Sequence, residues 1–309
     1  TDVVFSGSTY IAENGDILTI GERFQRENSM IIQEIDIERL RTDRQRNTNF
    51  TKDKAGHYRH INVAPIDREE EGTEPIHRSF SPSPFLPKKD KEDQYCMDVF
   101  SIQTSALARR WEHTHSETLV LGISGGLDST LALLVSVQTA DLLGYDRSRV
   151  VGVTMPGFGT SDRTYQNALQ LMEELGITHR EISICDVTTQ HLADIGHDMD
   201  VRDATYENAQ ARVRTMILMD LANELNGILV GTGDLSELAL GWCTYNGDQM
   251  SMYGINAGIP KTLVKYLVKY AAENLYGEPL RSILLDVVET PVSPELLPTD
   301  RSEEHTSEL

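Results

Sequence analysis

A doubly wound parallel α/β sheet, preceded by a small α/β fragment, is the fold class this sequence predicts, on three observations. Short apolar runs of strand length, at 119–123, 150–154, 181–184 and 228–231, alternate with stretches of helical period at 127–143, 164–175 and 206–225. Alternation with short links calls for parallel strands joined by right-handed helical crossovers. Three of the four runs end in glycine-rich loops: Ser124-Gly125-Gly126, Met155-Pro156-Gly157-Phe158-Gly159 and Gly231-Thr232-Gly233-Asp234. In an open α/β sheet, ligands bind at the carboxyl ends of the strands, so three such loops at one edge predict one site. No internal repeat is present.

Taken in order, 3–5, 9–11 and 17–20 are expected strands, with Asn14-Gly15 as a hairpin turn. Residues 29–37, SMIIQEIDI, alternate from Ile31 onward and are expected to form another strand, followed by a charged helix at 37–46. From 51 to about 93 the periodicity vanishes. Glu69-Glu70-Glu71 and Pro65, Pro75, Pro82, Pro84 and Pro87 mark a linker laid over a surface. His57, His60 and His77 lack metal-ligand spacing and are expected to be solvated. Residues 95–111 return to helical period, with Met97, Phe100, Leu107 and Trp111 on one face. The expected organisation is a fragment at 1–50, a linker at 51–94 and the sheet domain at 95–298. The polar, aperiodic tail at 299–309, TDRSEEHTSEL, is expected to be non-native, and the first residue, Thr1, is expected to fall inside a domain.

The chemistry centres on 119–130, LVLGISGGLDST. Strand, glycine turn and helix together aim backbone N–H groups and a helix N-terminus at one point, which is an anion site. Gly125 and Gly126 let a phosphate approach the backbone, and Ser124, Ser129 and Thr130 offer hydroxyl donors. Asp128 repels phosphate unless a cation lies between them, so it is expected to ligate Mg²⁺. The alternative is a tight strand-to-helix turn with a capping acid. No Lys follows the glycines, which excludes a Walker loop, and G-x-G-x-x-G is absent too. Glu237, one helical turn past Gly233-Asp234, is placed to share a cation with Asp128; otherwise it is an acid stabilising its own helix dipole. Asn208 and Arg212 share a helix face at i, i+4, beside the apolar stripe Val213, Ile217 and Leu221. Arg212 there is either a grip for a carboxylate or phosphate or an ordinary surface pair. Lys261 follows the turn Gly258-Ile259-Pro260, and spacing alone makes it a helix-start residue.

Charge narrows the partners. Lys plus Arg number 28 against 48 Asp plus Glu, a net −20. That excludes nucleic acid as a bulk partner and an anionic membrane as a docking surface. No apolar run approaches the ~20 residues of a bilayer span, and no signal peptide opens the chain. Cys96, Cys185 and Cys243 lie far apart, which predicts a reducing, cytoplasmic setting without a zinc site.

Together, SGGLDST, ENAQARVR, GTGDLSELALGW and SMYGINAGIPKT resemble the glutamine-dependent NAD synthetases, members of the ATP pyrophosphatase family with an adenine nucleotide α-hydrolase-like fold. The resemblance runs from about Tyr95 to Pro298, and 1–50 resembles the end of the nitrilase-like glutaminase domain of the fused enzymes. It implies ATP-dependent amidation of deamido-NAD through an adenylate, with ammonia from glutamine and release of AMP and pyrophosphate. It also implies roles. Gly122, Ile123, Ser124, Gly125, Gly126, Leu127, Asp128 and Ser129 would hold the ATP phosphates, and Asp128 and Glu237 would hold Mg²⁺. Thr232, Lys261 and Ser293 would contact ATP; Arg212, with Asn208 beside it, would contact deamido-NAD. No covalent protein nucleophile is implied. The single-domain ammonia-using forms have Lys where this chain has Tyr245, and Asp near Met252. The glutaminase's catalytic Glu, Lys and Cys would lie upstream of Thr1, the helical C-terminal region is also lacking, and the full-length form would be a homo-oligomer. The rivals are another amide-forming ATP pyrophosphatase, of the GMP or asparagine synthetase type, and a non-catalytic nucleotide-binding fragment.

Overall fold

The structure is a computed structural model that describes residues 5–47, 49, 59, 61, 82–87, 89–160 and 162–290. The chain divides into two compact units, Thr1–Pro82 and Ser83–Leu309, with the division inside the proline-punctuated stretch.

In the first unit, β1 (Tyr10–Glu13) and β2 (Asp16–Ile20) pair antiparallel, with Tyr10 opposite Ile20 and Glu13 opposite Asp16. The turn needs two positive φ angles. Asn14 at 50° and Gly15 at 92° supply them, as a two-residue hairpin requires. Helix α1 (Ile37–Arg46) starts where Asp36 accepts the Arg39 N–H at 2.9 Å. The strand expected at 29–37 does not form. The alternation is visible, with Met30 and Ile32 exposed beside half-buried Ile31 and Gln33, and Thr19 of β2 donates to Gln33 Oε1 at 3.1 Å, but no backbone ladder joins the segment to β2. Of the strand expected at 3–5, Phe5 is irregular and the rest lies outside the described residues, as do His57, His60 and His77.

The second unit opens with α2 (Glu92–Thr114), which buries Phe100, Leu107 and Trp111. Then follow β3 (Thr118–Gly122), α3 (Leu127–Leu143), β4 (Val150–Thr154), α4 (Asp162–Leu175), β5 (Thr178–Glu181), α5 (Cys185–Asp194), α6 (Ala204–Glu224), β6 (Gly227–Gly231), α7 (Leu235–Leu240), β7 (Tyr253–Gly254), α8 (Lys261–Asn274) and α9 (Leu280–Glu289). The sheet order is β5-β4-β3-β6-β7, and every pairing is parallel. The chain steps outward from β3 to β4 and β5, then returns to β6 on the other side of β3. The switch point therefore lies between β3 and β6, where a doubly wound sheet opens a crevice.

Alternation on the central strands divides the core. Leu119, Leu121 and Ile123 face a cluster completed by α2, α3, α4, α8 and α9. Val120, Val151, Val153 and Leu229 face α6 through Val213, Leu221 and Ala222. Helix α3 is apolar on nearly every side, and Leu131, Leu133, Leu134 and Val137 are all fully buried. Such a helix belongs inside a layer rather than on its surface.

The third strand lies earlier than its apolar run. The run 181–184 was expected to pair, yet the ladder uses Thr178–Glu181, with Val151 opposite Thr178 and Thr154 opposite Glu181. This is an edge strand whose side chains alternate between half-buried and exposed. Ile182 and Ile184 follow it and pack into the α6 layer. Apolar character here marks burial and not pairing.

Candidate active site at the switch point

The loop after β3 is built to leave the N-terminus of α3 open. Gly125 has φ 85°, and a Cβ there would collide with the Thr164 carbonyl, so only glycine fits. Ser129 Oγ donates to the Gly126 carbonyl at 3.1 Å and accepts the Ser124 N–H at 3.3 Å, while Ser124 Oγ accepts the Gly126 N–H at 3.2 Å. These bonds shape the loop from within. No side chain caps α3, whose N-cap is Gly126.

The loop after β6 is built the other way. Asp234 caps α7 by accepting the Glu237 N–H at 2.9 Å, and Glu237 Oε2 accepts the Asp234 N–H at 3.2 Å, a reciprocal capping box. The helix-acid alternative for Glu237 is thus real, and it coexists with a second role. Ligand oxygens of Asp128, Asp234 and Glu237 lie within 4.8 Å of one another. Lys261 Nζ donates to Asp128 Oδ2 at 2.5 Å and to Glu237 Oε1 at 3.2 Å. It also lies 3.2 Å from Asp234 Oδ2 as an ion pair, without the alignment of a hydrogen bond.

The charges are poorly balanced by protein alone. Burial pushes the Asp128 and Glu237 carboxyls up, and the Lys261 ammonium only partly offsets it. Burial opposes the charge on Lys261, but the surrounding carboxylates, led by Asp128, more than reverse this and raise its affinity for a proton. Fully ionised, three carboxylates and one ammonium carry −2. Asp128 Oδ1 is buried with no hydrogen-bond partner among the described residues. An orphaned carboxylate oxygen among oxygen donors, in a cluster of net −2 with Lys261 counted, fits Mg²⁺, a hard cation bound by carboxylates together with substrate phosphates.

Two cavities meet here. The first, about 310 Å³, is lined by Ser124, Gly125, Gly126, Leu127, Asp128, Ser129, Thr232, Glu237 and Lys261 among others. The second, about 340 Å³, takes in Gly122, Ile123, Thr154, Arg214 and Leu218. Ser124, Ser129, Thr164, Gly231, Thr232 and Asp248 line both.

The structure thus brings together the whole stretch 122–129 with Thr232, Glu237 and Lys261. It does not bring Arg212 or Asn208 into either cavity. Arg212 is exposed and its Nε donates to the Tyr245 carbonyl at 3.2 Å; Asn208 Oδ1 accepts from Thr244 Oγ1 at 2.8 Å. Arg212 lines a third, shallower hollow with His191, Met216 and Met250. Ser293 and the tail at 299–309 lie outside the described residues. Sequence reasoning missed Asp234 as part of the acidic cluster, although D-x-x-E ahead of a helix is a legible capping signal. It also missed Arg214 and Thr164, for which no spacing rule pointed to the site.

The NAD synthase family profile matches residues 100–304. The chain belongs to the NAD synthase family. It is 42% identical to the glutamine-dependent NAD(+) synthetase of Mycobacterium leprae, over 98% of this chain and 46% of that protein. The chain thus spans about half the length of the curated relatives it matches. Among solved structures it resembles a glutamine-dependent NAD+ synthetase from Acinetobacter baumannii in complex with ADP (TM-score 0.57, 29% identity, 63% of this chain and 36% of that one). It also resembles an NMN synthetase from Francisella tularensis (TM-score 0.56, 25% identity, 68% and 79%). NAD synthase membership does not favour the GMP or asparagine synthetase alternatives. No described helix is long and apolar enough to cross a membrane.

Proposed function

We propose that this chain carries the ATP-dependent amidation of deamido-NAD to NAD, with release of AMP and pyrophosphate. One observation carries the reading: Asp128 and Glu237, with the buried Asp234 behind them in the same acidic cluster, line one cavity with the uncapped N-terminus of α3. That pairing suits a polyphosphate bridged by a cation. In the first step a nicotinate carboxylate oxygen attacks the α-phosphorus of ATP, and the α–β bridging bond breaks to release pyrophosphate. In the second, ammonia attacks the acyl carbon of the adenylate, loses a proton and expels AMP. When bound by Asp128, Asp234 and Glu237, Mg²⁺ supplies neutralisation of the phosphate charge.

The protein groups position and stabilise. Backbone amides of 122–129 and the hydroxyls of Ser124, Ser129 and Thr232 hold the phosphates, as the helix N-terminus favours. Lys261 adds a cation worth about 4 kcal/mol at ~4 Å and an effective dielectric near 20. No covalent nucleophile is needed, because orientation and preorganised charge supply the rate. Arg212, which lines the third hollow, binds deamido-NAD with Asn208 beside it on α6, and Ser293 contacts ATP. The remaining organisation is part of the same reading. Residues 1–50 are the end of a nitrilase-like glutaminase domain, 51–94 the linker and 95–298 the synthetase. Glutamine-derived ammonia comes from the rest of a cytoplasmic, homo-oligomeric full-length protein.

Incubation with ATP, Mg²⁺, deamido-NAD and ammonia should yield AMP, pyrophosphate and NAD; ADP and orthophosphate would refute the reading. The likeness to an NMN synthetase motivates a second substrate, the nicotinate mononucleotide. Faster turnover of the mononucleotide than of deamido-NAD would move the assignment to that activity.

A further inference from the structure

The two loops that face each other across the site are not held together by the sheet. The ladder between β3 and β6 runs Thr118–Gly227, Leu119–Ile228 and Val120–Leu229 and then stops, two residues short of the end of each strand. Beyond it the end of β3 pairs only with β4, and the end of β6 pairs with β7. A fully buried amide bridges the gap. Asn256, on the turn between β7 and α8, uses one N–H on each loop, its Nδ2 donating to the Asp128 carbonyl at 3.0 Å and to the Thr232 carbonyl at 3.1 Å. Its Oδ1 accepts from Gln103 Nε2 at 3.1 Å, and the same Gln103 nitrogen donates to the Ile255 carbonyl at 3.0 Å. Gln103 is itself buried, on α2.

We propose that Asn256 is a positioning residue whose buried amide, oriented by Gln103, sets the separation between the α3 N-terminus and the loop after β6. The inference rests on the amidation reading for what that separation is used for. The chemistry leaves few substitutes. A carboxylate at 256 would face two carbonyl oxygens with no donor, and an apolar group would donate to neither and break the bridge. Gln103 prevents the amide from turning over, because its donor meets Oδ1 and would repel Nδ2. Asn256 also lies five residues before Lys261, so the same turn that spaces the loops delivers the ammonium to Asp128. Asn256 need not touch substrate to matter, since a displacement of ~1 Å at a reacting centre can cost about 100-fold in rate.

The test uses the 309-residue chain with Asn256→Leu, Gln103→Leu and the double variant. It reads kcat and KM for ATP in pyrophosphate release, and amide hydrogen exchange over 124–130 and 231–236. Asn256→Leu should lower kcat about 100-fold with KM for ATP within about threefold, and should speed exchange in both loops together. Gln103→Leu should lower kcat about tenfold, and the double variant should be no worse than Asn256→Leu to within about twofold, because the two residues act through one link. Wild-type kcat in folded Asn256→Leu, a loss confined to KM, or losses that multiply in the double variant would each overturn the proposal. If Asn256→Leu does not fold, Gln103→Leu decides, and unchanged exchange in either loop counts against the link. If the wild-type chain releases no pyrophosphate, the amidation reading fails, while joint loosening of the two loops still tests the positioning role.

Discussion

Two strand–loop–helix units end in helix N-termini that are capped in opposite ways. After β3, Ser124-Gly125-Gly126 leads into α3 with a glycine N-cap and no side-chain cap. After β6, Gly231-Thr232-Gly233-Asp234 leads into α7 with a reciprocal Asp234–Glu237 capping box. Both helices present the same positive N-terminal potential. One leaves it without a side-chain cap, and the other satisfies it with its own acids and turns their remaining oxygens toward Lys261 and Asp128. On the proposed function, a phosphate site and a cation site are made from one local motif, by the choice of glycine or aspartate at the N-cap. The proposed cation site then sits beside the proposed anion site, because β3 and β6 are neighbours at the switch point.

The largest effect expected is from Asp128→Ala, which removes the one acid that α3 contributes to the cluster. Pyrophosphate release should fall by roughly 10²–10³-fold, the scale of losing one preorganised charge-stabilising group, and a folded variant with wild-type turnover would remove the metal role. Next is Gly125→Ala. A Cβ at φ 85° against the Thr164 carbonyl should cost about 1–3 kcal/mol in chemical denaturation, or displace the open terminus with a matching loss of kcat/KM for ATP. Unchanged stability together with unchanged kinetics would show that the loop's shape is not set there.

Asp234 sharpens the contrast, because its two roles separate by substitution. Asn caps about as well as Asp, whereas Ala loses about 1 kcal/mol of helix stability. Asp234→Asn should therefore melt like the wild type yet need more Mg²⁺ for half-maximal turnover, and Asp234→Ala should show both defects. An unaltered Mg²⁺ requirement in the Asn variant would confine Asp234 to capping.

The smallest effect lies where α9 packs on α4. Asp286 on α9 accepts from Asn167 at 2.7 Å and pairs with Arg163 at 2.5 Å, both on α4, and these donors hold its carboxyl below the ordinary carboxylate range. Its folded value is depressed, so its stabilisation is present above the unfolded value near 3.9 and is lost as pH falls through the folded one. The pair is about half exposed and screened, so Asp286→Asn should cost a few tenths to about 1 kcal/mol at neutral pH. The difference from wild type should shrink on acidification; a difference that grows would reverse the sign assigned here.

Much of this was legible in the residues. The runs at 119–123, 150–154 and 228–231 are buried strands because both faces of a parallel sheet are covered, so their apolar character is continuous. Asp128, Glu237 and the SGG loop could be placed together because loops at carboxyl ends converge. Other features leave weaker traces. Residues 29–37 alternate like a strand, but pairing depends on a neighbour that a local pattern does not contain. β7 is two residues long and α7 six, too short to show a period. Asp234 was hidden by its own capping role, and Asn256 sits in the aperiodic turn GINAGIP, where nothing local reveals what lies 128 residues away. Arg212 shows the limit of spacing: it is on the expected helix, yet Arg214, two residues on, is the one lining the second cavity.

The central claim is that the carboxylates of Asp128, Asp234 and Glu237 jointly hold a divalent cation against a triphosphate seated on α3. Titration of Mn²⁺ as a paramagnetic stand-in, with and without ATP, on wild type and Asp128→Asn tests it most directly. One site whose affinity rises with ATP, and falls at least about tenfold in the variant, is the expected result. Equal affinity in both proteins, or binding indifferent to ATP, would contradict it.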